Sequence, residues 1–260
     1  MCKECGCGLG GGDVKIGGHS HEHTHDHGHA HGHDHHHEHG HSHGGKTLSL
    51  NLSLMEKNNR LAERNRGFFR AKKLLVLNVV SSPGSGKTTF IRETAAKLAG
   101  KLRVGVIVGD LATDNDAARL RTAGIPVVQI TTGTVCHLDA DMVAKAAAQL
   151  DLDKLDVLVI ENVGNLVCPA DYDLGEDLRV VLLSVTEGED KPLKYPPMFH
   201  SAHVAVVTKS DMAAAAGFDR ELALQNLERV SHHARIFELS AKTGDGMKAW
   251  LDFLTEQRAA

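Results

Sequence analysis

Residues 74–89 read LLVLNVVSSPGSGKTT, and this stretch decides the fold. Leu74 to Val80 is apolar except at Asn78 and shows no polar alternation. Such a run marks a strand buried on both faces. It passes directly into Ser81-Ser82-Pro83-Gly84-Ser85-Gly86-Lys87-Thr88-Thr89. A phosphate-cradling loop follows the pattern G-x-x-x-x-G-K-[ST]; here Ser81 replaces the first glycine and the rest fits. The glycines let backbone N–H groups curl around phosphate oxygens, and the helix that starts here adds its partial positive charge. The spacing therefore predicts that Gly84, Ser85, Gly86, Lys87, Thr88 and Thr89 hold a nucleotide. Lys87 reaches the β- and γ-phosphates, and the Thr88 hydroxyl ligates Mg²⁺. A plain glycine-rich turn is the alternative, and its place between a buried strand and a helix argues against it.

Outward from this loop the chain repeats strand, loop and helix. Further strands are predicted at 104–109, 126–130, 157–161, 180–185, 204–208 and 234–239. Helices are predicted at 88–98, 116–123 and 138–150. Apolar strands separated by helices predict a doubly wound, mostly parallel α/β sheet of the P-loop NTPase kind over residues 73–260. Ligands of such sheets sit outside the carboxyl ends of the strands.

Three motifs fall at those ends. Thr208-Lys209-Ser210-Asp211 follows one strand and resembles the [NT]-K-x-D element of GTPases. Asp211 can accept hydrogen bonds from guanine N1–H and its exocyclic amine, a donor pair that adenine lacks, and Lys209 lies along the base plane. One strand later comes Ser240-Ala241-Lys242, resembling the loop whose backbone contacts the guanine O6. Two such motifs in order select GTP over ATP. Asp110 ends the second strand, in GDLATDNDAAR. It is either a helix-capping or loop carboxylate or a group that positions Mg²⁺ or the attacking water; its place beside the phosphate loop favours the second. Lys87 and Asp110 are thus the catalytic candidates. Glu161-Asn162-Val163-Gly164 looks like a D-x-x-G switch with Glu for Asp: Glu161 holds Mg²⁺ through water and the Gly164 N–H senses the γ-phosphate. No Gln stands in the usual water-orienting position.

The N-terminal region has a different composition. Residues 1–18 are rich in Cys and Gly, and residues 19–43 hold 14 His in 25 positions. Neither has enough apolar surface to offset the entropy of ordering, so both are expected to be disordered without metal. Residues 47–72 carry spaced Leu and Phe and are expected to form a helical connector. Residues 1–46 hold three cations against six acids, leaving 26 against 27 in the remainder. No basic stripe exists for nucleic acid. There is no run of 18 apolar residues and no signal-peptide plan, so a cytoplasmic protein without a membrane partner is expected.

Five cysteines in a reducing compartment read better as ligands than as disulfides. Cys2, Cys5 and Cys7 form C-x-x-C-x-C, whose thiolates suit Ni²⁺ or Zn²⁺. Cys136-His137 follows the third strand and Cys168 follows the switch. Each cysteine alone reads as a small buried hydrophobe. Together, on loops leaving one sheet edge, two thiolates and an imidazole make three ligands of a tetrahedral or square-planar site, which a subunit interface could close. The histidines His19, His21, His23, His25, His27, His29, His31, His33, His35, His36, His37, His39, His41 and His43 suit storage of Ni²⁺, Zn²⁺ or Cu²⁺. An engineered tag or a solvated tail are the alternatives; irregular spacing and embedded acids argue against the tag.

Taken together, MCKECGC, the His tract, SSPGSGKTT, GDLATDNDA, TGTVCHLDA, ENVGNLVCP, TKSD and SAKTGDG resemble the hydrogenase nickel-incorporation GTPases, the HypB type of the SIMIBI class. The departures are Ser81 and Thr208, and both leave nucleotide binding intact. The resemblance implies a GTPase that inserts nickel into [NiFe]-hydrogenase, with a high-affinity nickel site at Cys2, Cys5 and Cys7. It also implies a nickel or zinc site at Cys136, His137 and Cys168 on a GTP- and metal-dependent homodimer interface. The partners implied are the zinc-containing accessory protein HypA and the hydrogenase large subunit. Two rivals stand beside this reading. A urease accessory GTPase would carry Cys-Pro-His, whereas Cys168-Pro169 precedes Ala170. A nickel storage or detoxification protein would use the G domain for regulation only.

Overall fold

A computed structural model describes residues 15–16 and 44–259. In chain order the elements are β1 (Lys15–Ile16), α1 (Gly44–Ala71), β2 (Leu75–Ser81), α2 (Lys87–Leu98), β3 (Val104–Asp110), α3 (Asn115–Thr122), β4 (Val127–Thr131) and α4 (Ala140–Ala147). They continue with β5 (Val157–Glu161), β6 (Leu178–Ser184), α5 (Lys191–Lys194), α6 (Pro196–His200), β7 (Val204–Thr208), α7 (Ala213–Ala216), α8 (Arg220–Ser231), β8 (Arg235–Glu238) and α9 (Met247–Ala259).

The strands form one sheet in the order β1-β4-β3-β5-β2-β6-β7-β8. Neighbours from β4 through to β8 pair in parallel, as the apolar runs predict. Alternate residues of β2 feed opposite layers. Leu75, Leu77 and Val79 pack with Phe90, Leu98, Trp250 and Phe253 from α2 and α9. On the other face, Val76 joins the cluster under α1 and α4, and Val80 the one under α6 and α8. The buried Trp250 indole donates to Thr94 Oγ1 at 3.1 Å, which satisfies its one polar atom. The order leaves the carboxyl end of β2 between those of β5 and β6, so the loop after Ser81 opens into the crevice where such sheets bind ligands.

Two features depart from the sequence reading. Lys15–Ile16 lies within the stretch expected to be disordered, yet it pairs antiparallel with β4, Lys15 opposite Thr131 and Ile16 opposite Ile130. Without it β4 would be an open sheet edge, whose unpaired N–H and C=O groups template a further strand. The remainder of the Cys-rich and His-rich segments, with Cys2, Cys5, Cys7 and the 14 histidines, lies outside the described residues. The helix before the sheet, α1, does more than pack by its apolar residues. Asn58 donates to Asp173 O at 2.8 Å and accepts from Ala140 N at 2.9 Å. Asn65 donates to Ala140 O at 2.7 Å and Leu174 O at 3.1 Å. These two residues, two turns apart on one face of the helix, stitch the start of α4 to the 173–174 loop.

Candidate functional site

The phosphate loop follows from the backbone. Ser81 is the last paired residue of β2, opposite Leu182, so the position usually taken by glycine is extended here and tolerates a side chain. Gly84 and Gly86 adopt φ of 74° and 99°, which L side chains rarely adopt, and Gly86 is where α2 begins. Lys87 Nζ folds back on Ser81 Oγ at 3.0 Å. Burial lowers its pKa, while Glu161, Asp116, Glu187 and Asp110 act the other way.

Beyond Lys87, Thr88 Oγ1 donates to Glu161 Oε1 at 2.8 Å. Glu161 is almost fully buried, and burial pushes its pKa up to about 7, against the pull of Lys87 and the Thr88 hydroxyl. Its second oxygen is buried without a hydrogen-bond partner among the described residues. An orphaned carboxylate oxygen beside a hydroxyl fits a hard divalent cation such as Mg²⁺, which takes oxygen ligands. Asp110, the other predicted member, has one oxygen occupied: Oδ1 accepts from Ala112 N at 3.0 Å, Thr113 N at 2.8 Å and Thr113 Oγ1 at 3.2 Å. Asp110 Oδ1 therefore shapes its own loop, at the same carboxyl end of the sheet as Glu161. Gly164 backs onto the phosphate loop: a Cβ there would sit 3.1 Å from Pro83 Cα. A side chain there would force this segment or Pro83 to give by a few tenths of an ångström.

The base motif is also assembled. Thr208 Oγ1 donates to Ser85 O at 3.0 Å and Lys209 Nζ to Gly84 O at 2.8 Å. Lys209 is left-handed, φ 59°, a strained state for a non-glycine residue and of a kind that clusters at ligand sites. Ser240 Oγ donates to Asp211 Oδ1 at 2.7 Å while accepting from Lys242 N and Thr243 N. The Ser-Ala-Lys loop thus fixes the Asp211 carboxylate. Glu187 and Lys191, which sequence reasoning missed, approach the phosphate loop from the end of β6. Lys191 Nζ lies 3.4 Å from Ser82 Oγ and 3.9 Å from Glu187. The cue was present: VTEGEDK follows a predicted strand, where functional loops of this sheet gather.

A second cluster stands on the loops after β4 and β5. One ligand atom each from Cys136, His137 and Cys168 all lie within 4.8 Å of one another, and the two sulfurs are 2.7 Å apart. His137 is buried and stacks on Tyr172 with ring centroids 3.8 Å apart. Burial lowers its pKa, favouring the neutral imidazole that ligates metals. Its Nδ1 is buried without a hydrogen-bond partner among the described residues. Two soft sulfurs and a neutral imidazole form a donor set for Ni²⁺ or Zn²⁺. Asn165 bridges the two loops, donating to Cys136 O at 3.2 Å and accepting from Val167 N at 2.8 Å. Tyr172 carried no sequence signal, since stacking on an imidazole leaves none.

Beneath both sites runs a buried polar chain that the sequence did not reveal. Asn162 Oδ1 accepts from Leu138 N at 3.3 Å and Val163 N at 2.9 Å, while its Nδ2 donates to Asn78 Oδ1 at 3.2 Å. Asn78 Nδ2 donates to Glu176 Oε1 at 3.1 Å. Glu176 also accepts from Leu174 N at 2.8 Å and from Arg179 Nε at 3.0 Å. Arg179 in turn donates to Ala170 O at 2.9 Å and Tyr172 O at 2.8 Å. Burial would raise the Glu176 pKa; Arg179 and the Asn78 and Leu174 donors more than offset it, so the group stays below its ordinary value.

Comparison with known proteins agrees with this layout. The family model "CobW/HypB/UreG, nucleotide-binding domain" matches residues 75–238. The chain is 52% identical over 215 residues to the hydrogenase maturation factor HypB of Escherichia coli strain K12, covering 83% of this chain and 74% of that one. It is 39% identical to the hydrogenase/urease maturation factor HypB of Helicobacter hepaticus, covering 82% and 89%. Among solved structures, HypB from Helicobacter pylori in complex with nickel superposes with a TM-score of 0.75 at 41% identity, covering 78% of this chain and 95% of that one. HypB from Archaeoglobus fulgidus gives 0.73 at 39%, covering 78% and 99%. With its phosphate loop, its guanine-type base loop and the matched span from β2 to β8, the chain belongs to the HypB branch of the CobW/HypB/UreG family of P-loop GTPases.

Proposed function

We infer that this protein hydrolyses GTP and inserts nickel into [NiFe]-hydrogenase during maturation. The observation that carries the reading is the Cys136, His137 and Cys168 cluster, assembled within 4.8 Å on loops leaving the sheet at the same end as Ser81–Thr89. A nickel complex of a similar protein and maturation factors at up to 52% identity support it.

GTP binds with its phosphates along Gly84–Thr89 and its base against Asp211, Lys209 and the Ser240-Ala241-Lys242 backbone. Lys87 neutralises charge on the β- and γ-phosphates. Thr88 and Glu161, with Asp110 nearby, would hold Mg²⁺, which supplies neutralisation of developing phosphate charge. Gly164, packed on Pro83, presents its N–H to the γ-phosphate. Cys168 lies four residues further on, so a shift of the switch segment reaches a metal ligand. In the two-nucleotide-state cycle, GTP draws two subunits together and completes the nickel site; hydrolysis loosens it and passes nickel onward to the hydrogenase large subunit, with the zinc-containing accessory protein HypA as partner. Zn²⁺ can occupy the same ligands. Cys2, Cys5 and Cys7 form the tight nickel site, and the His tract stores the metal in the cytoplasm.

The test is rescue of [NiFe]-hydrogenase in a strain lacking its own maturation GTPase. Wild type and a chain lacking residues 19–43 restore activity, and Lys87→Ala does not. Equal rescue by Lys87→Ala would favour a storage protein. The dual name of the Helicobacter hepaticus relative favours urease as a second recipient, which a urease assay in the same strain background reads directly.

A further inference from the structure

The buried chain described above has two ends with different consequences, and one residue joins them. Asn162 immediately follows Glu161, whose carboxylate accepts from Thr88 in the phosphate loop. Its own backbone N–H donates to Val79 O at 3.0 Å, on the strand that feeds that loop. Its side-chain oxygen accepts from Leu138 N at 3.3 Å, the amide directly after His137. The residue is completely buried, so water cannot replace either partner, and a broken bond leaves an unsatisfied group. The Asn162 amide is oriented from behind by Asn78 Oδ1, which takes its Nδ2 at 3.2 Å. One residue therefore touches β2 through its backbone N–H and, through its side-chain oxygen, the backbone that carries His137 and Cys136.

Glu176 and Arg179 sit at the other end of the chain. Arg179 holds the carbonyls of Ala170 and Tyr172 at 2.9 and 2.8 Å, two and four residues past Cys168. It makes no hydrogen bond to the phosphate loop. It supports the Cys168 turn directly and reaches Asn162 only through Glu176 and Asn78.

We propose that Asn162 is the positioning residue that couples the two sites, its side-chain oxygen transmitting movement of the β5 end to the Cys136-His137 loop through the Leu138 amide. The inference rests on the metal reading above and adds the residue through which the coupling runs. Asn162→Ala removes the acceptor. Asn78→Ala frees the amide from behind while leaving residue 162 intact. Arg179→Lys loosens the Cys168 turn and leaves the Asn162 bonds to Leu138 and Asn78 in place.

The experiment uses the full chain with Cys2→Ser, Cys5→Ser and Cys7→Ser, so that thiolate-to-metal absorption reports only Cys136 and Cys168. Ni²⁺ is titrated in the presence of GDP and of a non-hydrolysable GTP analogue, and the ratio of the two affinities is the readout. A coupled pair of sites gives a ratio of about fivefold or more. Asn162→Ala and Asn78→Ala are expected to bring the ratio close to one. Arg179→Lys is expected to weaken Ni²⁺ in both nucleotide states and leave the ratio unchanged, as a merely supporting role would. A wild-type ratio surviving in folded Asn162→Ala or Asn78→Ala overturns the inference and leaves the metal reading standing. A wild-type protein that gives no thiolate band, or a ratio of one, overturns the metal reading or its coupling instead. Should Asn162→Ala not fold, Asn78→Ala decides the matter.

Discussion

Thr88 Oγ1 donates to Glu161 Oε1 across 2.8 Å, joining the first turn of α2 to the end of β5. The hydroxyl and the carboxylate are the two groups best suited to hold Mg²⁺, and each stands ready for the other. Losing either should remove charge neutralisation at the phosphates and spare the base contacts. Glu161→Gln and Thr88→Ala are each expected to lower kcat for GTP by about 10²–10³-fold while GDP affinity changes little; steady-state hydrolysis with a GDP titration checks both.

The same carboxylate gives the fold a pH dependence. Its pKa is raised from 4.5 to about 7 by burial, so the folded chain prefers Glu161 protonated in magnesium-free buffer. That contribution is fully present below pH 4.5 and is lost as pH rises toward about 7, a change on the order of 3 kcal/mol. Urea denaturation of wild type and Glu161→Gln across this window checks it. The wild-type curve should lose stability with rising pH relative to the variant, and the difference should shrink when Mg²⁺ is added.

Asp211 is fixed by the Ser240 hydroxyl at 2.7 Å, so its carboxylate is aimed before a base arrives. Asp211→Ala should cost two hydrogen bonds to a charged acceptor. GTP affinity is expected to fall about 100-fold or more, with ATP affinity little changed, as competition binding would read.

Much of this layout was legible because β strands here are buried on both faces. The predicted strands at 157–161 and 204–208 coincide with β5 and β7. The run predicted at 180–185 starts later than β6, because Arg179 belongs to the strand yet interrupts its apolar pattern. The helix predicted from Leu138 begins at Ala140 because the Asp139 side chain accepts from Met142 N and caps it. The buried polar chain was not legible. Asn78 is the one polar residue of an apolar run, and Glu176 and Arg179 belong to no motif; only tertiary packing makes them partners. The 4.8 Å gathering of Cys136, His137 and Cys168 was anticipated from loop placement, but the stack on Tyr172 was not.

The cysteine pair gives a direct prediction. Removing Cys136 or Cys168 as alanine deletes a ligand. Ni²⁺ affinity at this site should fall by more than the roughly 10–100-fold that losing an outer hydrogen-bond partner of a metal ligand costs. Absorption titration of the chain lacking the N-terminal thiols reads it, with GTP turnover in metal-free buffer expected to persist.

Gly164 tests the switch. The added methyl of Gly164→Ala meets Pro83 Cα and Cγ at 3.1 Å, so one segment must yield. Overpacking of this kind costs about 1–3 kcal/mol. Thermal unfolding should show the loss, and hydrolysis should slow because the N–H withdraws from the γ-phosphate.

Helix α1 has a consequence for how the chain can be remodelled. Asn58 and Asn65 grip Ala140, Asp173 and Leu174, so the two loops that flank the metal ligands share one brace. The hydrogen bonds of this brace are made by Asn58 and Asn65 themselves. A graft point before Asn58 therefore spares the brace, but only a graft that keeps Lys15–Ile16 also spares the strand paired with β4. A cut made after that point would dismantle the metal loops along with the tail, and its phenotype would be credited to the wrong residues.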